Sequence, residues 1–281
     1  MASTSKYEYT DIICEIRGKI GIIKLNRPKS LNAFGGNLLP ELVSAIRELN
    51  EHPDTVFTVL TGEGRFFSSG ADIKARAGLN QTLTNPAAKK LNYMASTTAV
   101  CAQEILRSLI DHKKVFVLAL NGPAVGGGAA WFTGVADIIL AAEHAYLHAP
   151  FSALALVPEF GSATSFAQSL GVHRTNDLLL LGRKMTVEEL EQWGLVNRIL
   201  PKKGFHEKVI EFLEEQLAVN DGKSMMEHKR LQNMPLRKDR LLAVYDSADA
   251  LGERIVEGAL EARFAQKNKE LQEKSTSRSK L

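Results

Sequence analysis

Three short segments carry the residue types from which an acid–base site can be built. Phe66–Lys74 and Asn121–Ala130 are rich in glycine and other small residues, and Leu156–Gly161 holds one acidic side chain, Glu159. Glycine lets a ligand approach the main chain closely, and the start of a helix leaves backbone N–H groups unpaired. Two such N–H groups could stabilise negative charge on a carbonyl oxygen while Glu159 moves a proton nearby.

The runs that precede these segments predict a buried sheet. Short β-branched or apolar runs bounded by turn residues predict strands, and apolar residues three or four apart predict helices. These patterns predict a hairpin at Ile12–Ile16 and Ile20–Leu25 and a helix at Leu38–Leu49. They also predict three buried strands, at Val56–Leu60, Val115–Leu120 and Ile138–Ala142. Buried strands separated by helices indicate an α/β protein with helices covering a central sheet.

The other segments have weaker or mainly helical patterns. Ala75–Ala95 shows little periodicity, and we expect a mobile segment or lid beside the site. From Thr186 onward the sequence predicts mostly helix, including Leu242–Phe264, with one short strand at Val196–Leu200.

Composition and the C-terminus narrow the class of protein. The chain has 281 residues, of which 44% are hydrophobic and 24% charged, and its formal net charge is +3. This balance is typical of a globular enzyme and is too weakly basic to indicate nucleic-acid binding. No run reaches the roughly 18 apolar residues of a membrane span. The last residues, Ser279, Lys280 and Leu281, follow a polar tail and predict an address read by the peroxisomal import receptor.

Together with Leu25–Ala33, the three segments resemble the crotonase (enoyl-CoA hydratase/isomerase) superfamily in order and spacing over residues 10–200. The resemblance implies an α/β crotonase fold of repeated ββα units, with residues 1–200 as the core, 201–265 as a C-terminal helical trimerisation segment and 266–281 as a flexible tail. It also implies an acyl-CoA substrate, a homotrimer or hexamer in the peroxisomal matrix, and no separate cofactor, since coenzyme A is part of the substrate.

The resemblance assigns roles to individual residues. By position, the peptide N–H groups of Ala71 and Gly127 hold the thioester oxygen. The carbonyl of Ser69 meets the adenine amino group in similar enzymes, and Lys29 and Lys74 are the candidates for the CoA phosphates. Gly70, Asp72 and Ile73 complete the implied CoA-binding segment. No metal site is expected, because His144 and His148 fall where strands are predicted and lack helical spacing.

Side chains at three positions decide which reaction the resemblance implies. Enoyl-CoA hydratases of the superfamily carry two glutamates that activate water, and Ala130 and Phe151 stand in their places here. The dienoyl-CoA isomerases use a second acid at the place of Phe151. Glu159 matches the single glutamate of the Δ3,Δ2-enoyl-CoA isomerases, especially the fungal peroxisomal ones. The implied activity is isomerisation of 3-enoyl-CoA to trans-2-enoyl-CoA in peroxisomal fatty-acid β-oxidation.

Two other interpretations stay open. One is an enoyl-CoA hydratase, or another crotonase-type acyl-CoA enzyme, that uses different side chains. The other is a non-catalytic acyl-CoA-binding scaffold. Some related fungal isomerases place an asparagine near the base, where this sequence has Ala102 followed by Gln103, so assistance of Glu159 by an amide is also open.

Overall fold

A mixed sheet of seven strands forms the centre of the computed structural model, which describes residues 3–4, 8–72, 83–263 and 265–266. In spatial order its strands are β1 (Ser3–Thr4), β2 (Ile12–Arg17), β3 (Ile20–Leu25), β4 (Phe57–Gly62), β5 (Val115–Leu120), β7 (Ile138–Ala142) and β10 (Arg198–Leu200). The first three strands pair antiparallel, and the pairs from β3 to β10 are parallel. The predicted hairpin and buried strands are therefore confirmed.

A second, three-stranded sheet joins β6 (Ala124–Val125), β8 (Tyr146–His148) and β9 (Met185–Thr186). The helices are α1 (Leu38–Glu51), α2 (Pro86–Met94), α3 (Thr97–Ile110), α4 (Gly127–Thr133), α5 (Ser162–Leu170), α6 (Val172–Thr175), α7 (Val187–Gln192), α8 (Phe205–Val219), α9 (Gly222–Asn233) and α10 (Arg237–Val256). The α/β class is confirmed. Within the described residues no helix is long and apolar enough to cross a membrane.

Both faces of the main sheet are buried, and its central strands β4, β5 and β7 consist mostly of apolar residues. Along β5, Phe116 and Leu118 belong to the core shared with α1 and α3, while Val115 and Val117 belong to a second core completed by α8. Successive side chains of a strand point to opposite faces, so one continuous apolar run serves both cores. Because β4 and β5 are parallel, their carboxyl ends, after Gly62 and Leu120, lie at the same edge of the sheet.

Two sequence predictions differ from the structure. The segment Ala75–Ala95, predicted as a mobile segment or lid, contains α2 (Pro86–Met94), a helix that the sequence pattern did not predict and that begins where the Asn85 side chain accepts the Ala88 N–H. Residues 73–82 of that segment lie outside the described part of the chain. The last long helix, α10, begins at Arg237 and not at Leu242.

The C-terminal helix α10 packs on its own chain. Its Leu251 forms a small core with Tyr93 of α2 and Ala99 of α3, and Val244 reaches the main core. The division into residues 1–200, 201–265 and 266–281 stays a prediction. The terminal Ser279, Lys280 and Leu281 lie outside the described residues.

Candidate active site

One half of the candidate site, here called the oxyanion side, consists of Gly70, Ala71 and Gly127. Three loops meet there: residues 26–34, residues 63–72, and residues 121–126. The Val125 N–H donates to the Ser68 carbonyl at 2.9 Å, and the Phe34 N–H donates to the Gly70 carbonyl at 2.8 Å. The loops are thus joined by main-chain hydrogen bonds, which fix backbone groups more firmly than exposed side chains would.

Two buried amides reinforce these loops. Asn32 donates to the carbonyls of Glu63 and Phe66 at 3.0 and 2.9 Å, and its Oδ1 accepts the Arg27 N–H at 2.8 Å. Asn121 Oδ1 accepts the Gly62 N–H at 2.9 Å. A buried amide with all these bonds acts as a cross-link, because breaking it leaves several polar groups unpaired.

Gly70 and Gly127 lie against each other where these loops meet. A Cβ added to Gly70 would stand 2.6 Å from the Val125 carbonyl oxygen and 3.2 Å from the Gly127 nitrogen. Gly70 also has a φ of 80°, which glycine adopts without steric cost. The structure therefore brings together the two glycine-containing segments that the sequence singled out.

Gly127 is the first residue of α4. The first N–H groups of a helix have no partner within the helix, and they carry part of its positive dipole. The predicted passage from buried strand to helix is confirmed for this segment. For the segment containing Ala71, the structure describes the chain only up to Asp72, so a helix after it lies outside the described residues.

The other half of the candidate site, the base side, is the loop from Ala155 to Ser162 that carries Glu159. Glu159 is only 4% exposed. Directly after it, Phe160 and Gly161 have φ values of 44° and 82°, and α5 begins at Ser162. A left-handed conformation is strained for phenylalanine, so this tight turn must be held by its surroundings.

Contacts from α10 hold this turn. The Gly161 N–H donates to Ser247 Oγ at 2.9 Å, and a Cβ on Gly161 would stand 3.2 Å from the Val244 nitrogen. Further up the loop, Arg254 Nε donates to the carbonyl of Ala155 at 3.1 Å. The sequence gives no sign of these contacts, since their partners lie 86 and 99 residues apart.

The two halves meet above Gly127. A Cβ placed on that glycine would stand 3.0 Å from Glu159 Oε2, 2.9 Å from Trp131 Nε1 and 3.0 Å from Phe34 Cε2. Trp131 Nε1 donates a hydrogen bond of 2.9 Å to Glu159 Oε2. A buried carboxylate, the start of a helix and a ring-lined apolar surface therefore converge on one point.

The residues at the two places of the hydratase glutamates are buried and apolar. Ala130 has no exposed surface and Phe151 is 2% exposed. Ala102, at the place where an amide was considered, is also buried. One donor to Glu159 is the indole of Trp131, which was not predicted from the sequence. The sequence could have predicted that Trp131 lies near Gly127, because residues four apart on a helix share a face.

The predicted CoA-binding residues are only partly described. Lys29 is exposed in a short helical turn, Pro28–Ser30, and the Ser69 N–H donates to the adjacent Leu31 carbonyl at 2.9 Å. The Asp72 carboxylate lies 3.6 Å from Arg27 Nη1. The predictions for Ile73 and Lys74 fall outside the described residues.

A second group of buried charges lies at the opposite, amino-terminal ends of the strands. Lys229 Nζ is 2.7 Å from Asp137 Oδ2, and burial lowers the pKa of Lys229 while Asp137 acts to raise it. Burial also lowers the pKa of His112 well below its usual value, aided by Lys229 and Lys114. This group lies at the ends of the strands opposite to Gly127 and Glu159 and is therefore not part of the candidate site.

This chain is similar in sequence to a protein family and to several of its named members. The sequence profile described as Enoyl-CoA hydratase/isomerase matches residues 15–251. A Delta(3,5)-Delta(2,4)-dienoyl-CoA isomerase of Pyricularia oryzae is 34% identical over 225 residues, which cover 74% of this chain and 76% of that protein. An Enoyl-CoA delta isomerase 3, peroxisomal, of Mus musculus is 32% identical over 202 residues, which cover 72% of this chain but only 61% of that protein.

A solved structure supports the same fold. An enoyl-CoA hydratase/isomerase from Pseudoalteromonas atlantica T6c superposes with a TM-score of 0.80, covering 93% of this chain and 98% of that one. The two sequences are 21% identical, so the likeness concerns the fold.

Proposed function

The chain belongs to the enoyl-CoA hydratase/isomerase family, and from that premise we propose that it converts 3-enoyl-CoA to trans-2-enoyl-CoA with Glu159 as proton carrier. The observation that carries the proposal is the position of the carboxylate, whose Oε2 lies 3.0 Å from where a Cβ on Gly127 would stand. A thioester oxygen bound at the Gly127 N–H would bring the adjacent carbon atoms close to that carboxylate.

The proposed reaction needs one acid–base group. Glu159 takes a proton from carbon 2, so that the C–H bond breaks and an O–H bond forms on the carboxyl group. The electron pair spreads over carbons 2 to 4 and the thioester oxygen as a dienolate. The same O–H then returns its proton to carbon 4. A base of this kind contributes roughly 10²–10⁴-fold to the rate.

The oxyanion side would stabilise the dienolate. We assign the two donors to the N–H groups of Ala71 and Gly127; the assignment is supported by Gly70, directly before Ala71, which packs against the Gly127 nitrogen. Each donor of an oxyanion hole typically contributes on the order of 10²–10³-fold. The remaining binding assignments in the proposal are Lys29, Ser69, Gly70, Asp72, Ile73 and Lys74 for coenzyme A.

The absence of carboxyl groups at Ala130 and Phe151 favours isomerisation over hydration. Both side chains are apolar and buried, so neither position can orient water as an acid would. A dry pocket also protects the dienolate from protonation by solvent. We further propose a peroxisomal location through Ser279, Lys280 and Leu281, and assembly as a homotrimer or hexamer.

A second candidate is isomerisation of a 3,5-dienoyl-CoA. The name of the Pyricularia oryzae relative favours it. The apolar Phe151 counts against it, since a proton carried over a longer conjugated system calls for a second acid at that place.

Product analysis of three substrates tests the proposal. The purified protein should convert 3-hexenoyl-CoA to trans-2-hexenoyl-CoA and leave trans-2-hexenoyl-CoA without a hydroxyl group at carbon 3, as followed by chromatography and mass spectrometry. Hydration of trans-2-hexenoyl-CoA without isomerisation of 3-hexenoyl-CoA would contradict it and indicate a hydratase. Faster turnover of 3,5-octadienoyl-CoA would favour the second candidate.

The variant Glu159→Gln tests the role of the carboxylate. It should lower kcat by about 10³-fold or more and keep the affinity for a CoA ester, because the amide retains the shape but cannot accept the proton. Glu214→Gln, at an exposed acid on α8, is the matched control and should leave kcat unchanged. A wild-type protein that binds CoA esters but turns over none of the three substrates would indicate a non-catalytic scaffold.

A further inference from the structure

We propose that Trp131 is a positioning residue for Glu159, whose carboxylate its indole N–H orients; this inference rests on the proposed function of Glu159. Trp131 lies on α4, one helical turn after Gly127, and is 3% exposed. Its Nε1 donates to Glu159 Oε2 over 2.9 Å. The residue that directs the base is therefore on the same helix as the proposed oxyanion donor.

Stacking holds the indole ring in place. Its centroid is 4.5 Å from that of Phe34 at an angle of 35°, and 5.1 Å from that of Phe160 in an edge-to-face arrangement at 80°. Aromatic pairs at these distances are favourable and limit ring rotation. The N–H therefore has a fixed direction, and it holds Oε2 at a fixed distance from Gly127.

The chemistry of indole suits this role. Its N–H is a donor without acceptor capacity, so it bonds well to an ionised carboxylate and cannot accept a proton from the protonated acid. A donor to the charged form favours that form, which opposes the effect of burial on an acid. Because Trp131 anchors Oε2, the carboxylate of Glu159 cannot rotate freely about its side-chain bonds.

The segments that carry Phe34 and Trp131 and those on either side of Glu159 are poor in charged side chains. The segments 31–37, 127–133, 149–158 and 162–170 contain no Asp, Glu, Lys, Arg or His. Other described elements that pack near the site carry Arg27 and Asp72, which pair with each other, Lys90, which pairs with Asp249 and Glu253, the buried Tyr93, and Arg254, which donates to the Ala155 carbonyl. Arg240 interacts with Asp137 at the opposite ends of the strands.

Trp131→Phe tests the inference because it removes the N–H and keeps a ring between Phe34 and Phe160. For turnover of 3-hexenoyl-CoA we expect kcat to fall about tenfold with little change in KM. The acidic limb of the kcat/KM profile should move up by roughly half to one pH unit, the size expected for one lost hydrogen bond. Trp193→Phe is the matched control and should change neither; that ring lies under Arg174 and Arg183.

Fluorescence provides a readout that does not depend on turnover. The chain has two tryptophans, so in Trp193→Phe only Trp131 emits. Its emission should titrate with the same midpoint as the acidic limb of kcat/KM, because protonation of Glu159 changes the partner of the indole N–H. Adding Glu159→Gln should abolish that titration.

The outcomes separate this inference from the proposed function. Wild-type protein that does not isomerise 3-hexenoyl-CoA would overturn the proposed function, and the fluorescence titration would still test the hydrogen bond. Active wild-type and inactive Glu159→Gln, together with an unchanged pH profile in Trp131→Phe, would overturn the positioning role. Trp131→Phe that lowers the melting temperature and kcat without moving the acidic limb would also overturn it, since a purely structural contact would do the same.

Discussion

The oxyanion side and the base side of the candidate site are held by different kinds of contact. Gly70 and Gly127 are fixed by main-chain hydrogen bonds, which include the Gly126 N–H to the His148 carbonyl at 2.8 Å, and by the buried amides of Asn32 and Asn121. The turn that carries Glu159 is fixed by side chains of α10, over separations of 86 and 99 residues.

This difference predicts that the oxyanion side is the more rigid and that the turn after Glu159 is the more easily shifted. A lattice of main-chain hydrogen bonds allows few alternative arrangements, as an oxyanion hole requires for preorganised donors. The Gly161 turn is braced by individual side-chain contacts from α10, and its Phe160 is in a strained conformation, so one substitution can shift it. Substitutions on the two sides should therefore have different consequences.

Gly127→Ala should have the largest effect because it acts on both sides at once. The new methyl group would lie within 3.0 Å of Glu159 Oε2, Trp131 Nε1 and Phe34 Cε2, so those tips must move away. Gly127 is in helical conformation, where alanine is favoured, so the fold should persist. We expect kcat to fall by about 10³-fold, measured with 3-hexenoyl-CoA, with a native circular dichroism spectrum. Near-normal activity would contradict the prediction that the packing of Glu159 against Gly127 is needed for turnover.

Gly70→Ala should affect mainly the oxyanion side. Its Cβ would stand 2.6 Å from the Val125 carbonyl oxygen, a backbone atom that cannot move without displacing Gly127. We expect a loss of about 10²-fold in kcat, the effect of a displaced donor, together with reduced stability. Gly194→Ala is the matched control, since φ there is 79° and no atom lies within 4 Å. Equal activity losses in both variants would attribute the effect to backbone strain alone.

Asn32→Ala should lower the stability of the oxyanion side without touching the proposed chemistry. It removes two donors and one acceptor from buried carbonyl and N–H partners, and it places alanine at a φ of 54°. We expect the free energy of unfolding to fall by about 3 kcal/mol, measured by urea denaturation. The exposed Asn220→Ala should change it by less than about 0.5 kcal/mol. A small effect at Asn32 would show that the main-chain bonds alone hold the loops.

Ser247→Ala should have the smallest effect and should be confined to the base side. It removes the acceptor of the Gly161 N–H and thereby loosens the turn after Glu159. We expect a stability loss of about 1 kcal/mol and a few-fold decrease in kcat, with KM unchanged. Stopped-flow measurement of substrate binding provides the check. A change in KM larger than that in kcat would indicate that Ser247 affects substrate binding more than it affects the position of Glu159.

The two sides also differ in how far the sequence predicts them. Val115–Leu120 and Ile138–Ala142 were predicted to the residue because continuous apolar runs with turn residues at their ends are local signals. Gly127 and Glu159 were predicted as neighbours from the resemblance of their segments. The structure brings these two together, while their catalytic roles stay proposals.

What the sequence did not predict depends on distant or weak signals. The bond from Trp131 to Glu159 and the brace from Ser247 require knowledge of which helices meet. The helix α2 was missed because only Tyr93 of its residues is buried, which leaves little periodicity to detect. Its start signal, Asn85 followed by Pro86, is equally typical of a turn.

The bracing of the Glu159 turn by α10 has a consequence for the order of assembly during synthesis. The ribosome completes the segments of the oxyanion side first, and Ser247 emerges 86 residues after Gly161. A nascent chain can therefore close the loops around Gly70 and Gly127 while the acid still lacks its support. Glu159, the proposed proton carrier, therefore gains this support only after Ser247 has been synthesised, when the segments of the oxyanion side are already complete.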